Sequence, residues 1–179
     1  WPNGIKAKGE VRSQFHHVVD VAPTALEAAK IPQPRSVNGV PQRPMDGVSL
    51  LYSADGPRAP DRRTTQYFEM FGNRAIYDRG WVAATRHSIP WLIVPLPAVK
   101  DDVWELYNVD EDFAQADNLA AKEPAKLKDL QAIFLKEAAR NNVLPIDDRR
   151  VERFNPRIAG RPDLLGGRKS LTVYPGMTG

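Results

Sequence analysis

Three histidines are the side chains with the clearest capacity for acid–base or metal chemistry. His16 and His17 are adjacent and precede Asp20, so a metal site is one interpretation. Neighbouring residues of an extended segment point in opposite directions, which favours one buried, hydrogen-bonded ring and one exposed ring. His87 ends a predicted strand and opens a loop that contains Trp91. Loops at strand ends often carry binding residues, and an ordinary surface histidine is the alternative.

Paired acidic residues form a second group of candidates. Asp101–Asp102 precedes a predicted strand, Asp110–Asp112 follows it, and Asp147–Asp148 lies beyond the last predicted helix. Clustered carboxylates bind Ca²⁺, but these positions adjoin turns and helix starts, where Asp caps backbone N–H groups. The sequence therefore favours capping and solvation over a metal site. Gly166–Gly167 lacks the context of a phosphate-binding loop.

Composition excludes several functional classes. The chain has 179 residues, of which 42% are hydrophobic and 26% charged, enough for one domain with a core or for parts of two. It has no cysteine, which excludes disulfides and thiolate chemistry. Its net charge of +3 is weak and dispersed, so we expect no nucleic-acid partner. No apolar run of about 18 residues exists, so we expect no membrane span.

The elements that must position these residues indicate an α+β fold. Turn residues separate short runs of β-formers between 64 and 108, which predicts a four-stranded antiparallel sheet. A helix begins at Pro124, and Leu127, Leu130, Phe134 and Ala138 share one face of it. One amphipathic helix on an antiparallel sheet forms a two-layer unit.

The remaining segments predict a division of the chain into three parts. Residues 1–63 contain a helix at about 20–30, with Asp20 as its N-cap and a face of Val18, Val21, Leu26 and Ala29, and then Pro-rich loops. Residues 64–145 form the sheet-plus-helix subdomain. Residues 146–179 form an extended tail that leads to a further domain absent here, with Ser170–Tyr174 as one candidate strand. The first four residues, Trp1–Gly4, favour an interior fragment, because no initiator Met or leader precedes them.

Five stretches, in order along the chain, resemble motifs of the sulfatase family, and of the bacterial arylsulfatases in particular. They are Trp1–Lys6, His17–Thr24 (HVVDVAPT), Asp46–Leu50 (DGVSL), Gly80–Ala83 (GWVA) and Trp104–Asp112 (WELYNVDED). Each motif alone is weak, but five in the order of the family are specific. The resemblance covers residues 1 to about 145, and the first part is then the end of a larger α/β sulfatase domain.

The resemblance implies a sulfuric ester hydrolase of the alkaline phosphatase superfamily. Its nucleophile is a formylglycine made from Cys or Ser in a C/S-x-P/A-x-R motif. A divalent cation, usually Ca²⁺, is held by Asp and Asn side chains, while Lys and His residues bind the sulfate. Metal and cations would stabilise the charge of the transferring group.

None of that machinery maps onto this chain. There is no Cys, and Ser-started stretches such as Ser36–Val40 lack the required residues. We therefore expect no catalytic residue and no metal ligand here, and Ca²⁺ only in the parent enzyme. In relatives the loop after the "G-W" strand reaches the mouth of the active site. This implies His87 and Trp91 as residues at the substrate rim.

The expected function is thus the C-terminal part of an arylsulfatase that cleaves aryl sulfate esters to a phenol and sulfate, inactive by itself. Its partners would be the remainder of the sulfatase chain and, through the parent enzyme, a sulfate ester. Two alternatives stay open: a stand-alone binding module, or part of a phosphate or phosphonate ester hydrolase of the same superfamily. The compartment, bacterial cytoplasm or periplasm, is not readable from the sequence.

Overall fold

The structure is a computed structural model that describes residues 1–89, 91, 94–149, 155 and 157. Residues 1–63 are mostly extended or irregular, and their regular elements are short. A 3₁₀ turn at Val18–Asp20 leads into α1 (Val21–Ala28). A two-stranded antiparallel hairpin, β1 (Ser36–Val37) and β2 (Val40–Pro41), and then α2 (Leu51–Ala54) follow.

A four-stranded antiparallel sheet follows, in the order of the chain. Its strands are β3 (Thr65–Met70), β4 (Asn73–Asp78), β5 (Trp81–Thr85) and β6 (Trp104–Asn108). Two-residue turns join the first three strands, and both turn residues have positive φ: 55° and 84° at Phe71–Gly72, 45° and 79° at Arg79–Gly80. Such turns match the right-handed twist of paired strands. The predicted α+β architecture is confirmed.

One helix, α3 (Pro124–Arg140), covers one face of the sheet. Its first residue is proline, whose missing N–H and fixed φ suit that position. The predicted face of α3 is buried. Its residues Leu130, Phe134 and Ala138 form one cluster with Ile76, Ala83 and Leu106 of the sheet. Leu127 packs against the same cluster while partly buried. This apolar core holds the sheet and the helix together.

The opposite face of the sheet is approached by the first region of the chain. Phe15 stacks on Tyr77 with ring centroids 3.6 Å apart, and His17 meets Phe68 edge to face at 5.4 Å. Tyr77 is buried, whereas Phe68 is 40% exposed. The second face is thus covered at one end and open at the other.

The two margins of the sheet are treated differently. At β6, Leu106 donates its N–H to Asn118 Oδ1 at 3.1 Å and accepts the N–H of Leu119 at 2.7 Å. At β3, the side chain of Gln66 donates to the carbonyl of Tyr67 at 2.7 Å. A following loop therefore covers the backbone of β6 at Leu106, whereas at β3 a side chain of the strand itself bonds the carbonyl of Tyr67.

Several expectations for residues 1–63 are wrong in detail. The side chain of Asp20 does not cap α1, although Asp20 lies at the N-cap position. The predicted apolar face is not a buried face, since Val18 and Val21 are 74% and 59% exposed and α1 buries no residue. The β1–β2 hairpin was not predicted, because strands of two residues have no readable period.

The division into residues 1–63, 64–145 and 146–179 stays a prediction. The candidate strand Ser170–Tyr174 lies outside the described residues. Within the described part of the chain, no helix is long and apolar enough to cross a membrane.

Candidate functional site

Side chains join the two ends of the loop between β5 and β6. We call the joined part, which comprises Thr85, His87, Asp102 and Val103, the neck of the loop. Thr85 donates its hydroxyl to the carbonyl of Val103 at 2.7 Å. His87 Nδ1–H lies 2.9 and 3.0 Å from the two carboxylate oxygens of Asp102. A carboxylate can only accept, so Nδ1 is the donor. These contacts join the two ends of the loop at the strands themselves or within two residues of them.

Arg74 of β4 completes the neck from the neighbouring strand. Its guanidinium pairs with Asp102, donates to the carbonyl of Val99 at 3.1 Å, and lies 5.3 Å from the centre of the Trp104 ring. The side chains of Arg74 and Asp102 are 10% and 1% exposed. Asp102 therefore receives a cation on one side and an imidazole N–H on the other. The capping interpretation of Asp102 is wrong, because sequence spacing does not show which strand faces it.

The turn between β3 and β4 supports the other side of the neck. The Oδ1 atom of Asn73 accepts the backbone N–H groups of His87 at 2.9 Å and Ser88 at 3.0 Å. Ser88 donates its hydroxyl to the carbonyl of Phe71 at 3.2 Å. A Cβ at Gly72 would lie 2.6 Å from Cδ2 of His87. The turn needs glycine because the imidazole packs directly on it.

The second ring nitrogen of His87 faces another carboxylate. Nε2 lies 3.4 Å from Oδ2 of Asp148, which belongs to the segment after α3. The side chain of His87 is 0% exposed and that of Asp148 is 39% exposed. The contact does not have hydrogen-bond geometry, so Nε2 is a buried polar atom that makes no hydrogen bond to the described residues. His87 is a buried residue of the neck rather than the surface histidine of the alternative interpretation.

Trp91 has the opposite environment, with 81% of its surface exposed. It borders a shallow groove of about 490 Å³ lined by Met70, Asn73, Arg86, Ser88, Ile89 and Trp91. A second groove of about 930 Å³ shares Met70, Asn73 and Arg86 with it. The structure thus places His87 beneath the loop and Trp91 on its surface. Their role at a substrate rim stays a prediction.

A second buried cluster centres on Asp20, whose side chain is 0% exposed. Arg63 Nε donates to its two oxygens at 3.0 and 2.9 Å, and the backbone N–H groups of Val48 and His17 donate at 2.7 and 2.8 Å. Burial alone would raise the pKa of Asp20, but the hydrogen bonds from Arg63, Val48 and His17 and the charge of Arg63 outweigh it and lower the pKa to about 2. This cluster ties the start of α1 to the loop before α2 and to the start of β3.

The adjacent histidines do not form a metal site with Asp20. His16 and His17 are both partly buried, so the expected split between one buried and one exposed ring is wrong. The ring of His16 meets Tyr52 and that of His17 meets Phe68. Among the described residues, no group of three His, Asp or Glu side chains could hold a metal ion.

Comparison with known proteins gives relationships both in sequence and in fold. No family model matches the chain. The chain is 26% identical over 147 residues to an uncharacterized sulfatase of Schizosaccharomyces pombe, a match that covers 77% of this chain and 24% of that protein. The chain therefore spans about a quarter of the length of this curated relative.

Solved structures share the fold at lower identity. A candidate sulfatase from Bacteroides thetaiotaomicron matches with TM-score 0.54 and 18% identity over 78% of this chain and 28% of the other. A protein solved with its substrate D-glucosamine-2-N,6-O-disulfate matches with TM-score 0.57 and 18% identity over 83% of this chain and 29% of the other. A third structure, Ps i-CgsB, matches with TM-score 0.56 and 19% identity over 95% of this chain and 34% of the other. In sequence the chain is similar to a sulfatase, and in fold it is similar to part of a candidate sulfatase and of two further solved structures.

Proposed function

We propose that this chain is the C-terminal part of an arylsulfatase-type sulfuric ester hydrolase and has no hydrolytic activity by itself. The observation that carries the proposal is the sulfatase similarity of a chain that has no nucleophile of the family. It contains no Cys. Ser88 is followed by Pro90 but has Leu92 where the motif requires Arg.

The environment of Ser88 supports a structural role for this residue. It is 6% exposed, and its hydroxyl donates to the carbonyl of Phe71. A nucleophile must reach a substrate and needs an adjacent base to activate it. Ser88 has neither in the described residues, since its hydroxyl bonds a carbonyl and its N–H bonds Asn73. Nucleophile, calcium ligands and sulfate-binding cations are accordingly proposed to lie in parts of the parent protein outside this chain.

In the parent enzyme, the neck of the β5–β6 loop would hold a surface loop in place at the edge of the reaction centre. The ion pair of Asp102 and Arg74 at the neck is buried, and a buried, paired contact of this kind favours a fixed loop. Trp91 is the exposed aromatic that the loop presents. A flat indole surface suits the ring of an aryl ester, and a mobile loop would present it less well.

Turnover of 4-nitrophenyl sulfate tests the proposal. The purified chain should release no 4-nitrophenol above the uncatalysed background, and a longer protein that contains it should release it. Chelation of calcium in the longer protein should remove the activity, and added Ca²⁺ should restore it. Hydrolysis by the chain alone would refute its inactivity, and an inactive longer protein with a Cys-x-Pro/Ala-x-Arg motif would refute the aryl assignment.

A sulfated sugar is the second candidate substrate, because one structural neighbour was solved with D-glucosamine-2-N,6-O-disulfate as its substrate. The longer protein should therefore be offered 4-nitrophenyl sulfate and D-glucosamine 6-O-sulfate in parallel. Preference for the sugar, measured as the ratio of kcat/KM values, would replace the aryl assignment and leave the sulfatase assignment intact. Cleavage of a phosphate or phosphonate ester instead of either would refute both.

A further inference from the structure

The imidazole of His87 lies between two carboxylates that come from different parts of the chain. Asp102 belongs to the end of the β5–β6 loop, and Asp148 to the segment that follows α3. The ring packs on Gly72 of the β3–β4 turn and has no exposed side-chain surface. Neither the sequence motifs nor the proposed function gives this contact a role.

The two carboxylates differ in how well they are satisfied. Asp102 is paired with Arg74 as well as with His87 Nδ1. Among the described residues, Asp148 makes one ion pair, the one with His87. A change at Nε2 of His87 therefore affects Asp148 far more than Asp102.

Protonation decides whether Nε2 attracts or repels Asp148. A neutral imidazole that donates from Nδ1 presents a lone pair at Nε2, and a lone pair opposite a carboxylate at 3.4 Å is unfavourable. The imidazolium carries a second N–H at Nε2 and a positive charge, and both favour the carboxylate. Histidine is the side chain that ordinarily changes its charge between pH 5 and 8.

We propose that His87 is a pH-sensitive contact. As the imidazolium it binds Asp148 and thereby attaches the segment after α3 to the neck of the β5–β6 loop. As the neutral ring it keeps the bond to Asp102 and releases Asp148. The switch thus changes the attachment of residues 146–149 while the neck itself stays closed.

The charges that face His87 from each neighbouring element agree with this assignment. Arg74 comes from β4, Asp102 from the loop before β6, and Asp148 from the segment after α3. Among the described residues, these two carboxylates and one guanidinium carry a net charge of one negative unit, which an imidazolium neutralises.

The experiment uses the full chain and two matched variants, Asp148→Asn and Asp147→Asn. Both remove one carboxylate from adjacent positions, but Asp147 pairs with Arg149 at 2.8 Å instead of facing His87. Both sites are more than a third exposed in their side chains, so both variants should fold. NMR spectra between pH 5 and 8 would follow the His87 ring nitrogens and the backbone amides of residues 146–149.

In the wild type and in Asp147→Asn, the amide signals of residues 146–149 should shift with the same midpoint as the His87 ring, and their protection from hydrogen exchange should fall several-fold on the alkaline side. In Asp148→Asn, the midpoint at the ring should no longer be seen at these amides. The proposal would be overturned if, in the wild type, the amide signals of residues 146–149 did not change with the protonation of the ring. Coupling that survives Asp148→Asn unchanged would overturn it equally.

Discussion

Residues 1–63 bury Gln14, Asp20 and Ser53, all of them polar, whereas the sheet and α3 bury an apolar cluster around Ile76 and Phe134. In the first region, Gln14 donates to three carbonyls between residues 56 and 59, and Asp20 binds Arg63. The first region is therefore fixed by directional polar contacts and the second by apolar burial.

The exposed apolar side chains of the first region sharpen this difference. Val11 is 89% exposed, Val21 59% and Ile31 55%. A contiguous apolar surface on a protein often marks a contact site. The exposure supports the expectation that residues 1–63 pack on a larger body, which stays a prediction. Buried polar contacts can hold such a region in one conformation even where apolar side chains such as Val11 are largely exposed.

The largest effect should come from the apolar core. Phe134→Ala leaves a cavity between α3 and the sheet, and we expect it to lower the free energy of unfolding by about 4 kcal/mol. Urea unfolding followed by circular dichroism would measure it. The control is Leu135→Ala, next in the helix and 54% exposed, which should cost about 0.5 kcal/mol or less. Equal losses in the two variants would contradict the assignment of the apolar core to the face of α3 that carries Phe134.

The next largest effect should come from Asp20→Asn. It removes the charge that neutralises Arg63, whose side chain is only 9% exposed, and should cost about 3 kcal/mol. Hydrogen exchange should rise in residues 17–24 and 46–50, with little change in β4 and β5. As a control, Asp55→Asn alters an exposed acceptor of two backbone N–H groups. Uniform loss of protection across the chain would show that the two regions unfold as one.

The pH dependence of the free energy of unfolding should also report the buried Asp20. The pKa of Asp20 is lowered from 3.8 to about 2, so the folded state binds its proton more weakly than the unfolded state does. The resulting stabilisation, roughly 2 kcal/mol, is present above about pH 4 and is lost as the pH falls towards 2. The difference in unfolding free energy between wild type and Asp20→Asn should therefore shrink over that window. A difference that stays constant from pH 5 to pH 2 would contradict the assignment.

The smallest effects should separate two glycines with similar backbones. Gly39 and Gly72 have φ of +80° and +84°, so alanine strains both by about 1 kcal/mol. A Cβ at Gly39 meets nothing within 4 Å, whereas one at Gly72 meets the His87 ring. We expect Gly72→Ala to cost about 2 kcal/mol and Gly39→Ala about 1 kcal/mol. Thermal unfolding of the two variants would measure both costs, and equal costs would mean that the His87 ring moves aside freely.

The sequence predicted the second region better than the first. The period of Leu127, Leu130, Phe134 and Ala138 and the turn glycines are local signals, and the helix and sheet follow them closely. The partners of Asp20 and His87 are distant along the chain: Arg63 is 43 residues from Asp20, and Asp102 is 15 from His87. No local pattern reports such pairs. A buried charge could have been suspected only from a lone Asp within the apolar stretch 18–22.

The covered margin of β6 has a consequence for how the protein behaves in concentrated solution. A strand whose N–H and C=O groups are free can pair with another molecule, and this is a common start of aggregation. At Leu106 both groups are occupied by Asn118 and Leu119. Ordered assembly of the sheets of two molecules through this margin would first require residues 118–119 to leave it. A variant such as Asn118→Ala would thus free the N–H of Leu106 at this margin for pairing with another strand, without changing a residue of the apolar core.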